Sequence, residues 1–167
     1  MPSVSAPRSR WGLPSSVRLR TWERLMQSAA EALRRHKLAQ AQRLHEQALV
    51  LSQTLYDEAA AQPGCPPDDL LAAYVTTRLT VAHLQRASGE PELAGHGLCL
   101  AHRALLVLTR DHRVAIGARQ AAFRRARETH AALLAHVAEQ GASPNVLHTL
   151  RVGGMPFAPH DGSSMLH

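Results

Sequence analysis

Residues 82–102 read AHLQRASGEPELAGHGLCLAH, two helix-compatible stretches separated by Ser88-Gly89-Glu90-Pro91. Glycine frees the backbone for a tight turn, and a proline two positions later is pre-set for the first turn of a new helix. Upstream, residues 29–49, AAEALRRHKLAQAQRLHEQAL, place Ala29, Ala41 and Ala48 at the mutual spacings of Ala82, Ala94 and Ala101, a shift of 53 positions. Small residues in matching register on both sides of a turn are what two closely approaching antiparallel helices need. The chain therefore reads as an all-α protein built from stacked antiparallel hairpins.

Apolar residues at three- and four-residue spacing extend this reading outward. Helices are predicted from about Arg18 to His36, from Leu38 to about Ala61, from Asp68 to Ala87, from Pro91 to about Asp111, and from about Val114 to Gln140 with a stop at Gly141. Thr21 is read as the cap of the first helix and Asp68 and Asp69 as caps of the third, because short oxygen-bearing side chains accept bonds from free amides. On the fifth helix, Arg113, Arg124 and Arg127 are assigned an outer face, and Ile116, Phe123, Leu134 and Val137 the opposite, packed side. Residues 1–17 and 141–167 are expected to be mostly irregular tails, with one short turn over Asn145–Leu150. That leaves 18–140 as one domain of about five main helices, the last capping the stack.

Composition agrees. Of 167 residues 28 are alanine and 4% are aromatic, so a core must come from close-packed helices. The formal charge is +6 and Lys37 is the one lysine among 19 cations, a bias of bacterial style that suits acidic partners. Two cysteines are too few for a disulfide framework, and no apolar run has the length of a signal or spanning segment. These features lead to the expectation of a cytoplasmic protein with no membrane contact.

The alanine skeleton and the turn Gly89-Glu90-Pro91-Glu92-Leu93-Ala94 resemble the tetratricopeptide repeat, over roughly Trp22 to Ala104. The chain departs from that family at its large positions, with Leu25 and Ala32 in the first unit and Arg78 and Gln85 in the second. The resemblance implies a concave groove lined by the first helix of each unit, with Glu23, Met26, Ala30, Leu33 and Arg34 from one and Thr76, Leu79, His83, Arg86 and Ala87 from the next. Arg34 and Arg86 would fork onto a carboxylate while Met26, Leu33, Leu79 and His83 line the site, which suits an acidic or C-terminal peptide. The Lys and Asn of the family's carboxylate clamp are missing. A protein or peptide partner is expected, with the oligomeric state open, a homodimer included.

Catalytic signatures are missing: no phosphate-binding GxxxxGK, no GxGxxG after a strand, no GxSxG. His45-Glu46-Gln47-Ala48-Leu49 starts like a zinc-protease motif but has Leu49 where the second ligand must stand. No enzyme activity and no cofactor are expected. An alternative is metal handling through His96, Cys99 and His102, soft ligands three residues apart on the fourth helix, helped by His148, Met155, His160, Met165 and His167. A further alternative, nonspecific nucleic-acid binding, would use the fifth-helix arginines with Arg8, Arg10, Arg18, Arg20 and Arg24, but no stacking platform or reading motif accompanies them.

Overall fold

A computed structural model describes residues 14–61 and 66–153 and contains six helices. They are α1 (Ser15–Arg34), α2 (Leu38–Ala61), α3 (Pro67–Ala87), α4 (Pro91–Arg110), α5 (Ile116–Gln140) and α6 (Pro144–Val152). No strand occurs among the described residues, so the fold is all-α. The Gln62-Pro63-Gly64-Cys65 part of the expected loop, Arg8, Arg10 and the tail residues Met155, His160, Met165 and His167 lie outside the described residues.

Each helix packs on the next through α5, while α1 packs on α3, α3 on α5 and α4 on α6. Odd-numbered helices thus form one layer and even-numbered helices another. Short turns set this order: His36 adopts the left-handed conformation (φ 56°) between α1 and α2, and Gly89 (φ 80°) does so between α3 and α4. Pro91 opens α4 at a first-turn position, where its missing N–H costs nothing.

Ala29, Ala41, Ala48, Ala82, Ala94 and Ala101, the whole repeated set, are buried. One core cluster joins Leu55, Leu70, Leu71, Tyr74, Val75, Leu105 and Leu106, and a second joins Ala82, Ala94, Leu98, Cys99, Leu133 and Val146. With so many small residues, helix positions are also fixed by directional bonds. Three buried threonines do this in one way: Thr77, Thr129 and Thr149 each donate back to a carbonyl of their own helix, at 2.7, 3.0 and 2.9 Å. Each hydroxyl oxygen then accepts from a neighbouring helix, from Trp22 Nε1 at 2.8 Å, His102 Nδ1 at 2.9 Å and Arg103 Nε at 3.0 Å. Arg18 of α1 and Glu58 of α2 add a buried ion pair where the first hairpin's ends meet.

Several expectations need correction. The first helix begins at Ser15, three residues earlier than expected, and Thr21 lies inside it, donating to the Val17 carbonyl. Asp68 and Asp69 sit in the first turn of α3 without capping it; Asp68 instead pairs with Arg124 and Arg125. The stretch after 140 holds α6, nine residues capped by Ser143, because Val146 and Thr149 are buried there. On α5 the buried face is Ala118, Ala121, Ala122, Ala126, Thr129, Leu133 and His136, while Ile116, Phe123 and Leu134 point outward. Along residues 118–126 the buried face of α5 is alanine alone, so Phe123 is turned outward there, while Leu133 and His136 are buried nearer its C-terminal end.

Close approach makes a paired prediction. A Cβ at Gly95 would stand 2.8 Å from Nε2 of the buried His136 imidazole, whereas one at Gly97 meets nothing within 4 Å. Gly95→Ala is expected to cost about 1–3 kcal/mol by overpacking, and Gly97→Ala to stabilise by about 0.5–1 kcal/mol through helix propensity. Urea-unfolding midpoints of the two variants check both signs.

Candidate functional site

The first two hairpins are tied together at one end and part at the other. At the tied end Trp22 bonds Thr77, the Tyr56 and Tyr74 rings lie 4.8 Å apart, and Tyr56 donates to the Ala104 carbonyl at 2.9 Å. Burial, with Tyr74 and Asp57 nearby, pushes the Tyr56 hydroxyl up to about 12. Arg78 lies 5.3 Å over the Tyr74 ring and bonds Gln53 at 3.3 Å, closing the same seam.

At the turn end a groove of about 530 Å³ opens, lined from the first hairpin by Leu33, Leu38, Ala41, Gln42, His45, Glu46 and Leu49. Val81, Leu84, Gln85, Ser88, Glu90 and Leu93 line it from the second. Leu38 and Leu93 stand 69% and 49% exposed. Lining residues on α2 recur at three- and four-residue steps, which places them on one helix face. His45 is buried, and its Nδ1 lies 2.8 Å from the Ala41 carbonyl, which can only accept. Nδ1 therefore carries the proton. Glu46 and Glu90 bring two carboxylates to the lining, and no Lys or Arg belongs to it.

The six residues expected for peptide binding are distributed differently. Leu33 lines this groove. Leu79 is half-buried and packs against both core clusters, Met26 is half-buried on α1, and His83 is exposed on α3. Arg34 bonds Glu31 and borders a separate crevice of about 450 Å³ with Gln27, Lys37 and Gln40. Arg86 faces Glu139 of α5 at 3.8 Å. Each arginine is already turned to a carboxylate of its own surroundings. Sequence reading missed Leu38, Leu49, Val81, Leu84 and Leu93; the available signal was the apolar run at helical spacing on α2.

His96, Cys99 and His102 do not converge either: among the described residues no three His, Cys, Asp or Glu side chains could hold a metal ion. His96 is exposed, Cys99 is buried with its thiol 3.8 Å from the Asn145 carbonyl, and His102 is fully buried. Three-residue steps rotate successive side chains into different neighbours. Since Thr129 donates to Ala126, its oxygen must accept from His102 Nδ1–H, and Nε2 stays unprotonated. Burial, reinforced by His130, lowers the His102 imidazole to about 4. On the basic face, Arg124 and Arg125 meet Asp68 at 3.1 and 2.7 Å, and Arg125 meets Glu128 at 2.7 Å. Although burial opposes it, these arginines hold the Asp68 carboxyl below its ordinary value. No helix among the described residues is long and apolar enough to cross a membrane.

A family model described as protein of unknown function (DUF2753) matches residues 20–156, and the chain belongs to that family. No curated protein and no solved structure matches the chain.

His102 makes a pH prediction. Below about pH 6.5 the unfolded chain gains a proton that the folded chain resists until about pH 4, so stability is complete above this window and falls with pH across it. His102→Asn, which keeps an N–H donor for Thr129 but cannot titrate, is expected to lower the urea midpoint at pH 7 and to flatten its decline between pH 6.5 and 4. An unchanged slope would contradict the assignment.

Proposed function

We propose that this family member is a noncatalytic interaction module, an adaptor or chaperone-like protein of the cytoplasm, that holds an apolar segment of a partner protein between its first two hairpins. The observation that carries this reading is the groove with its two exposed leucine lips. Exposed leucines beside a concavity of this volume are a resource for association, since each fully buried aliphatic side chain contributes about 1.5–3 kcal/mol. The alternation of two helical layers is in keeping with the tetratricopeptide-like reading, but this groove is lined chiefly by α2 and α3 and not by the first helix of each unit.

The lining favours a particular chemistry. Two carboxylates and no cation suit a segment whose apolar anchors are flanked by Arg or Lys, because a like-charged partner would be repelled. An acidic peptide held by Arg34 and Arg86 would have to displace Glu31 and Glu139 first. The groove reading requires no such exchange. Nucleic-acid binding through α5 is also disfavoured, because Asp68 and Glu128 already engage Arg124 and Arg125.

Selection of a displayed random-peptide library on the immobilised full chain tests this directly. Retained peptides are expected to combine apolar anchors with basic residues, and the double variant Leu38→Glu, Leu93→Glu to bind them at least roughly tenfold more weakly, about 1.4 kcal/mol. Thermal unfolding should move little, since both leucines are exposed. Enrichment of acidic peptides, with binding lost in Arg34→Glu, Arg86→Glu and kept in the leucine variant, would overturn the groove reading in favour of the arginine pair.

A further inference from the structure

The odd-numbered layer ends at α5. Its inner side meets α3, α4 and α6, and its outer side meets no helix among the described residues. That outer side is not polar. Ile116, Phe123 and Leu134 are 69%, 43% and 51% exposed, and at about 100° per residue they fall within about 20° of one another. Arg127 lies next to Phe123 on the same stripe, one helical turn on. Unlike Arg124 and Arg125, Arg127 has no carboxylate partner among the described residues.

The stripe is symmetric about its own midpoint. Ile116 and Leu134 lie equally far from position 125, and so do Phe123 and Arg127. A two-fold pairing demands such a self-complementary patch, because every contact of residue i with residue j of the other copy recurs as j with i. Laid antiparallel on a second α5 with the axis at position 125, Ile116 of each copy meets Leu134 of the other and the Arg127 guanidinium meets the Phe123 ring. Apolar contact and a cation over an aromatic face coincide in one register.

We propose that this face of α5 is the interface of an antiparallel two-fold homodimer of this chain. The alternative occupant, the chain's own residues 154–167, reads GMPFAPHDGSSMLH, in which Gly154, Pro156, Pro159 and Gly162 disfavour a covering helix. The interface residues on α5 include none of those that line the groove, so the two surfaces can be varied separately. With one helix pair at its centre, the dimer is of modest size and dissociates on dilution.

Sedimentation velocity of the full chain over a concentration series is the first test. The proposal predicts a shift from 18.2 kDa to twice that mass, abolished in Phe123→Glu, Leu134→Glu while circular dichroism stays unchanged. Cysteine cross-linking in a Cys65→Ser background then reads the register. Mixed Ile116→Cys and Leu134→Cys chains should cross-link to each other at least roughly tenfold faster than either does to itself. A chain that stays monomeric at all concentrations, a dimer indifferent to the glutamate substitutions, or cross-links formed mainly between identical variants would each overturn it.

Discussion

Close approach of helix backbones at alanine is the constraint on which the rest of this structure depends. The repeated alanines, with Ala121, Ala122 and Ala126 on α5, are all buried, and where they meet, neighbouring axes can come to the lower end of the usual 8–10 Å separation. A larger side chain at any of them would force the layers apart. Alanine, however, contributes little apolar area and no directional preference, so a stack held by alanine alone would be free to slide. The threonine relays supply what is missing: each ties a neighbouring helix to the register of its own through one shared hydroxyl, using Trp22, His102 and Arg103 as donors.

The same constraint explains where the large side chains go. Tyr56, Tyr74 and the Arg18–Glu58 pair gather at the tied end of the first two hairpins. Leu38, Leu49, Val81, Leu84 and Leu93 line the parted end. On α5 the buried face is alanine from residue 118 to 126 and takes Leu133 and His136 further on, and Ile116, Phe123 and Leu134 are left outside. Both surfaces assigned to association are thus by-products of one packing rule. Apolar residues that the close-packed seams cannot accommodate are displayed on the surface.

Much of the fold was legible because its determinants are local. Pro91 and Gly89 mark a turn by their own backbone preferences, and Gly141 ends α5 where the periodicity stops. The alanine register fixed which helices pair. What was not legible depended on neighbours. The periodicity of α5 is compatible with burying either Phe123 and Leu134 or Ala122 and Ala126, and the separation of α3 and α4 from α5 decides between them. Thr21 has the chemistry of a cap but sits six residues into a helix that begins at Ser15. His102 looks like a ligand by spacing alone, whereas its environment is a buried seam with a threonine acceptor. The groove is not legible from the first helix of each unit, because α2 provides the larger share of one wall.

The central claim is that partner segments enter between the first two hairpins. Methyl-resolved NMR of the full chain, recorded with a selected peptide bound, measures this by intermolecular contacts. The account predicts contacts from the peptide to Leu38, Leu49, Val81, Leu84 and Leu93, with the methyl groups of Ile116 and Leu134 unperturbed. Contacts confined to α5, or to Met26 and Leu79 without the groove leucines, would contradict it.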